Sequence, residues 1–255
     1  MSAPVTFTPL LGIPEIRPGD DLAELIAAAL DPMVSCPRSH DVLIVAQKVV
    51  SKAQNRFVDL ADVEPSPQAR ELARAADKDP RLVEVILSES DEVIRYKPGV
   101  IVVAHRLGFV MANAGIDRSN LGPGANGERV LLLPEDPDGF AAELRARLAA
   151  RYDVPLAVIV SDSFGRAWRN GVVNVALGAA GLPALIDARG SQDRDGRALQ
   201  VTEIAFADAI AAGAALVMGE GDESSPVVHA HGLGWSAPDM AAAGLIRPKQ
   251  QDMFR

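Results

Sequence analysis

The stretch VIVSDSFGRAWRNG, residues 158–171, passes from an apolar β-branched run into an acid, two hydroxyls, a glycine and two arginines. Val158, Ile159 and Val160, with VPLA before them, predict a strand buried on both faces. The strand is expected to end at Val160, which leaves Asp162 and Ser163 in a loop directly behind it. Upstream, DPDGFAAELRARLAARY has helical spacing through Phe140, Leu144 and Leu148. Further back, DVLIVAQKVV predicts a second buried strand at 42–46 that empties into SKAQNR.

The rest of the chain interleaves the same two element types. Leu22, Leu25, Ile26 and Leu30 recur at helical spacing, with Asp20 or Asp21 available as the cap. Residues 66–89 predict one or two helices, with Pro80 marking a restart. GVIVVAHRLGFVMANAGI is extended from Gly99, and DRSNLGPGANGE behind it is a loop by its Gly, Asn and Pro content. Residues 201–218 are alanine-rich and predict a helix for most of their length, broken sharply at GEGDESSP. These connections do not follow a regular βαβ rhythm. The expected fold class is therefore α+β, with mixed sheets and flanking helices, rather than a doubly wound sheet.

With 255 residues, the chain is expected to form a single unit over 1–255 or two intimately joined subdomains. Only 4% of residues are aromatic, so the core must be built from Ala, Val, Leu and Ile. A net charge of −9 argues against a nucleic-acid partner, because that affinity comes from Lys and Arg neutralising phosphates. Cys36 is the single cysteine, which excludes an intrachain disulfide and a thiolate metal cluster. MSAPVTFTPLLGIPEI does not read as a signal peptide, and Asn174, Gly178, Pro183 and Asp208 break the longest apolar stretches, so no membrane association is expected. The expectation is a cytoplasmic protein.

Three acidic loops stand where apolar segments stop: GIDRSN with Asp117 and Asn120, SDSFGR with Asp162 and Ser163, and GEGDES with Glu220, Asp222 and Glu223. Each alone is explained by turn or cap chemistry. As a set they offer the carboxylate and hydroxyl oxygens that hard divalent cations take, with coordination positions left for phosphates. Arg166 and Arg169, three apart, would face the same way on a helical turn and could clamp a phosphate or carboxylate, or form a solvated surface pair. Lys48 and Lys52 pose the same choice, with Lys52 the better phosphate candidate. No GxxxxGK[ST] is present, and no GxGxxG follows a strand. His229 and His231 share one side of an expected strand, but no third metal ligand has suitable spacing.

LGIPEIRPGDDL, KVVSKAQNR, ANAGIDRSN, VIVSDSFGRAWRNG and VMGEGDESSPVV occur in an order that resembles the coenzyme F420 gamma-glutamyl ligases, over roughly residues 7–235 and in the form without a fused flavin-binding domain. The resemblance implies a GTP-dependent ligase that adds L-glutamate to the lactyl carboxylate of a deazaflavin precursor, coenzyme F420-0, and extends a gamma-linked tail through an acyl phosphate. It further implies an intertwined homodimer, with GTP as co-substrate, Mg2+ or Mn2+ as cofactor, and K+ as an additional cation. Carried over by position, Asp117, Asp162, Ser163 and Glu220 are the metal ligands. Gly12, Ile13, Pro14, Glu15, Gln47, Lys52, Asn120, Met218, Gly219, Gly221, Asp222, Glu223 and Ser224 contact the nucleotide. Gln47 stands where the family often has Ser or Thr, and Ser163 where Thr is frequent. Arg166 or Arg169 is expected to compensate charge during catalysis, and Phe164 and Trp168 are the nearest surfaces for stacking a deazaflavin. A metal-dependent phosphohydrolase and a non-catalytic nucleotide-sensing module are the alternatives.

Overall fold

The computed structural model describes residues 4–33, 37–121 and 128–253. Cys36, and the glycine-rich end of the loop behind Asp117, lie outside the described residues. Strand β1 (Thr6–Pro9) leads to helix α1 (Leu22–Leu30), where the Asp21 carboxylate accepts from the amides of Ala23 and Glu24. Strand β2 (Val42–Ala46) is apolar on both faces, and the chain turns at once into helix α2 (Gln47–Ala53). Strand β3 (Phe57–Asp59) follows. The expected restart at Pro80 separates α3 (Pro67–Ala76) from α4 (Pro80–Ser88); each has proline in its first turn and a side-chain cap, from Ser66 and Asp79 respectively.

Strands β4 (Ser90–Lys97), β5 (Val100–His105) and β6 (Val110–Ala112) form an antiparallel sheet. Strand β7 (Arg129–Leu131) pairs with β3. Helix α5 (Pro137–Tyr152) then leads into strands β8 (Ala157–Arg166) and β9 (Arg169–Ala180). The short strands β10 (Leu185–Asp187) and β11 (Glu203–Ala205) pair with each other. Helix α6 (Phe206–Met218) and strand β12 (Val227–His231) close the fold. Among the described residues, no helix is long and apolar enough to cross a membrane.

The central sheet has the order β1-β12-β2-β8-β9, with β2 and β8 parallel and the other pairs antiparallel. The architecture is α+β with several sheets. Strand alternation divides the sheet's side chains between two cores: Leu43, Val45, Val158 and Val160 pack against α1 and α5, while Val42, Ile44, Ala157 and Ile159 pack against α6. Gly178 permits the close approach of α5, because a Cβ there would lie 2.1 Å from the Pro137 carbonyl oxygen. A separate core joins α3, α4 and β5 through residues such as Leu82, Ile86, Ile101 and Val103.

The opening stretch departs from its sequence reading. Strand β8 does not stop at Val160. It continues to Arg166, across a register shift between Val160 and Ser161, because β9 offers a matching partner along its length. Arg166 and Arg169 are therefore not one turn apart on a helix. They face each other across a hairpin whose two-residue tip is Ala167 and Trp168, with Trp168 at φ 59°.

Candidate active site

The parallel pair β2 and β8 ends at one edge of the sheet, and both chains carry their polar residues there. This edge opens into a cavity of about 720 Å³. Helix α2 forms one wall. Because Lys48 and Lys52 are a turn apart, both reach the cavity; Lys52 is only 5% exposed and bonds to Glu15 in the segment before α1. Lys48 Nζ lies 3.4 Å from Asp117 Oδ1.

Asp117 is fixed on both its backbone and its side chain. Its N–H and carbonyl exchange bonds with Leu131 at 2.9 and 3.0 Å. Gln47 Nε2 donates to its Oδ2 at 2.8 Å, while Gln47 Oε1 accepts from Ser51 Oγ at 2.9 Å. Gln47, the departure from the usual Ser or Thr, thus holds an acid in place. Burial still raises the Asp117 carboxyl above the ordinary aspartate range, against the pull of Lys48 and Gln47.

Asp162 is more strongly perturbed. Burial, then the neighbouring Asp117 charge and a further contribution from Glu220, pushes its carboxyl up to about 7, against the Ser163 amide and Lys48. The site holds more negative charge than its own cations offset. The third acidic segment closes the cavity. Gly219 has φ +74°, a conformation that favours glycine, and the Glu223 carboxylate folds over it and accepts from the Gly221 amide at 2.8 Å. Asn120 ties this loop to the Asp117 segment by donating to the Gly221 carbonyl at 3.3 Å.

The residues expected from sequence separate into two groups. Ile13, Pro14, Glu15, Gln47, Lys52, Asp117, Asn120, Asp162 and Ser163 line the cavity, as do Met218, Gly219, Glu220, Gly221, Asp222, Glu223 and Ser224. Gly12 is exposed beside it without lining it, and Arg166 and Arg169 sit at the hairpin tip, away from the lining. Phe164 packs edge-on against Phe109, with ring centres 6.0 Å apart, and Trp168 is exposed at the tip. His229 and His231 both turn their ring nitrogens to Asp41, at 2.8 and 2.6 Å, so the pair serves a buried carboxylate. Sequence reasoning missed Ser161 and Asn174, which also line the cavity. The signal was the alternation of polar residues, visible only once β8 and β9 are read as one long hairpin.

The cavity's side-chain oxygens come from Asp, Glu, Ser and Asn, the donors a hard divalent cation takes. Among the described residues, no three His, Cys, Asp or Glu side chains already stand at metal-ligand spacing. A hard cation held by such side chains keeps coordination positions for hydroxyl, water or substrate oxygens beside the protein carboxylates. That pattern fits a magnesium-like ion.

The α+β fold gathers acids, lysines and a glycine-bearing loop around one cavity at the ends of a parallel strand pair. The sequence matches the family described as F420-0:Gamma-glutamyl ligase over residues 11–232. It is 46% identical over 246 residues to the coenzyme F420:L-glutamate ligase of Methanopyrus kandleri, covering 94% of each chain. It is 43% identical to the ligase of the same name from Methanothermobacter thermautotrophicus, covering 96% of each, and 47% identical to that of Halobacterium salinarum, covering 85% of this chain and 83% of the relative. The chain belongs to the F420-0:gamma-glutamyl ligase family and is a ligase.

Proposed function

We propose that the protein joins L-glutamate to the lactyl carboxylate of coenzyme F420-0 and extends a gamma-linked glutamate tail, with GTP as the activating co-substrate. The observation that carries this reading is that one cavity collects polar residues from six separate segments of a chain belonging to this family. A carboxylate does not react with an amine directly, so it must first be activated. In the proposed reaction its oxygen attacks the γ-phosphorus of GTP and GDP departs. The glutamate nitrogen, having given its ammonium proton to water, then attacks the acyl carbon; phosphate leaves with the C–O electron pair, and the nitrogen releases one further proton to water as the amide forms.

Phosphoryl transfer depends mainly on positioning and charge compensation. Lys48 and Lys52 supply positive charge from α2, and the loop at 219–224 offers backbone amides with Asn120 bracing it. Asp117, Asp162, Ser163 and Glu220 would hold Mg2+ or Mn2+, which when bound offsets the negative charge of the phosphates. Potassium is a further cation of the proposed reaction. The assay that tests this follows GTP consumption by purified protein. GTP should be consumed only when precursor and glutamate are both present, with glutamylated product detected by mass. GTP loss without both substrates would favour the phosphohydrolase instead.

The arginines at the hairpin tip act in this proposal across an intertwined homodimer, where the tip of one copy reaches the cavity of the other. Mixing Asp162→Asn with the double variant Arg166→Ala, Arg169→Ala then restores part of the activity that each lacks alone. Monomeric sedimentation, or no restoration, would remove the arginines from catalysis.

A further inference from the structure

Two buried polar atoms of residues that line the cavity have no partner among the described residues, Ser161 Oγ and Asn174 Oδ1. Their residues are 2% and 4% exposed. Buried polar groups are almost always satisfied, so an unpaired pair facing a cavity calls for a ligand.

The hairpin register places them on one side. Ser161 opposes Ala176, and Ser163 opposes Asn174. Opposed residues of an antiparallel pair share a face. Ala176 packs in the core with Ile210 and Ala211 of α6, and Asn174 Nδ2 lies 3.8 Å from Met218 Sδ. Asp162, between Ser161 and Ser163, points to the opposite face by strand alternation. The cavity is thus two-sided. The cations among its described lining residues, Lys48 and Lys52, both belong to α2, whereas the α6 side presents hydroxyls and an amide oxygen.

Asn174 has turned its donor to the methionine sulfur, which leaves its amide oxygen as an unpartnered acceptor in a residue that lines the cavity. A phosphate or carboxylate gains nothing from an amide oxygen. An N–H donor does. We infer that Ser161 and Asn174 form the subsite for the amino group of the incoming L-glutamate, an inference that rests on the ligase reading above. A neutral amine has two N–H donors and one lone pair. With its hydrogens given to Asn174 Oδ1 and Ser161 Oγ, the lone pair is left free to attack the acyl carbon.

Steady-state kinetics of Ser161→Ala and Asn174→Leu test this, with glutarate as a competing ligand that keeps both carboxylates of glutamate and lacks the amine. The KM for glutamate should rise about tenfold in each variant. The KM for GTP and the inhibition constant of glutarate should stay at the wild-type values. Asn174→Asp keeps an acceptor and should restore glutamate binding to within about threefold. Ser161→Ala removes a single oxygen and decides the matter if Asn174→Leu fails a thermal-melt control. An unchanged glutamate KM would overturn the inference, leaving these atoms to water. A rise confined to the GTP KM would overturn it as well, assigning them to the nucleobase. Failure of the wild-type protein to form any glutamyl product would instead overturn the ligase reading on which the inference stands.

Discussion

Glu89 and Asp162 are both carboxylates largely removed from water, and the fold treats them in opposite ways. Glu89, at the end of α4, meets Arg56 Nη2 at 2.9 Å, Arg106 Nε at 3.1 Å and His105 Nε2 at 3.5 Å. The Leu107 amide donates to His105 Nδ1, so the imidazole carries its proton on the nitrogen facing Glu89. Burial works against the Glu89 charge, but His105, Arg56 and Arg106 outweigh it and hold the carboxyl down to about 2. Asp162 meets burial together with other acids and rises to about 7. The first arrangement finds its positive charge within the chain, in Arg56 and Arg106, although His105 Nε2 keeps no hydrogen-bond partner among the described residues. The second needs positive charge from outside, which distinguishes a structural ion cluster from a binding site.

The sharpest way to break this contrast is Asp162→Asn. If the carboxylate serves to seat a cation against the phosphates, turnover falls by about a thousandfold or more, because an amide keeps the shape without the charge. The metal-free protein should become more stable at the same time. A group with a raised folded pKa favours folding as pH falls, and costs stability above its unfolded pKa near 4. Removing it should add up to about 4 kcal/mol at pH 8. Full metal-dependent turnover in the variant would take Asp162 out of the metal's reach.

Glu89→Gln should act with the opposite sign on stability. The Glu89 pKa is depressed in the fold, so its contribution is present in full above the unfolded value near 4.5 and is lost as pH falls toward about 2. A shift of this size corresponds to about 3 kcal/mol. The variant should lose that much at pH 7, and its decline between pH 5 and 2 should be shallower than the wild type's, because Asp41, Asp79 and Asp187 are also depressed and still titrate there. Arg56, in the chain leaving α2, also donates to the Leu133 carbonyl at 2.9 Å, so the cluster ties the end of α4 to the segment behind β7. Denaturant melts across pH measure both effects, and equal slopes in the two proteins would discard the ion-cluster account.

The two regions also differ in how far sequence revealed them. Helices α3 and α4 were legible because Pro67, Ser66, Asp79 and Pro80 are local signals, each acting within one turn. Strand β2 was legible from its β-branched run. The acids of the cavity were legible as a set, since each follows or ends an apolar segment. The run from Ser161 to Arg166 was not, because its strand state depends on β9, whose pairing only the folded sheet supplies. That misreading concealed the side on which Ser161 and Asn174 lie, and it set Arg166 and Arg169 on a helix that does not form. The Glu89 cluster was equally hidden: Arg56, His105 and Arg106 lie far from it or on another element, and nothing in their spacing brings them together.

Gln47 tests the intermediate case, a neutral group serving an under-compensated acid. Its amide donates to Asp117 Oδ2 while Lys48 remains 3.4 Å from Oδ1, so Gln47→Leu takes away this hydrogen bond and the one from Ser51 Oγ, and leaves the ion pair. Leucine nearly matches the volume of this 2% exposed side chain, which limits the packing change. A hydrogen bond to a charged group contributes about 1.5 kcal/mol, so activity should fall about tenfold, far less than for Asp162→Asn. The freed Asp117 should also require more metal for half-maximal activity, because its orientation is no longer set before binding. A metal titration of turnover reads this directly. If Gln47→Leu lowers activity as far as Asp162→Asn with no change in metal requirement, then Gln47 contacts the reacting groups itself and does not act by positioning Asp117.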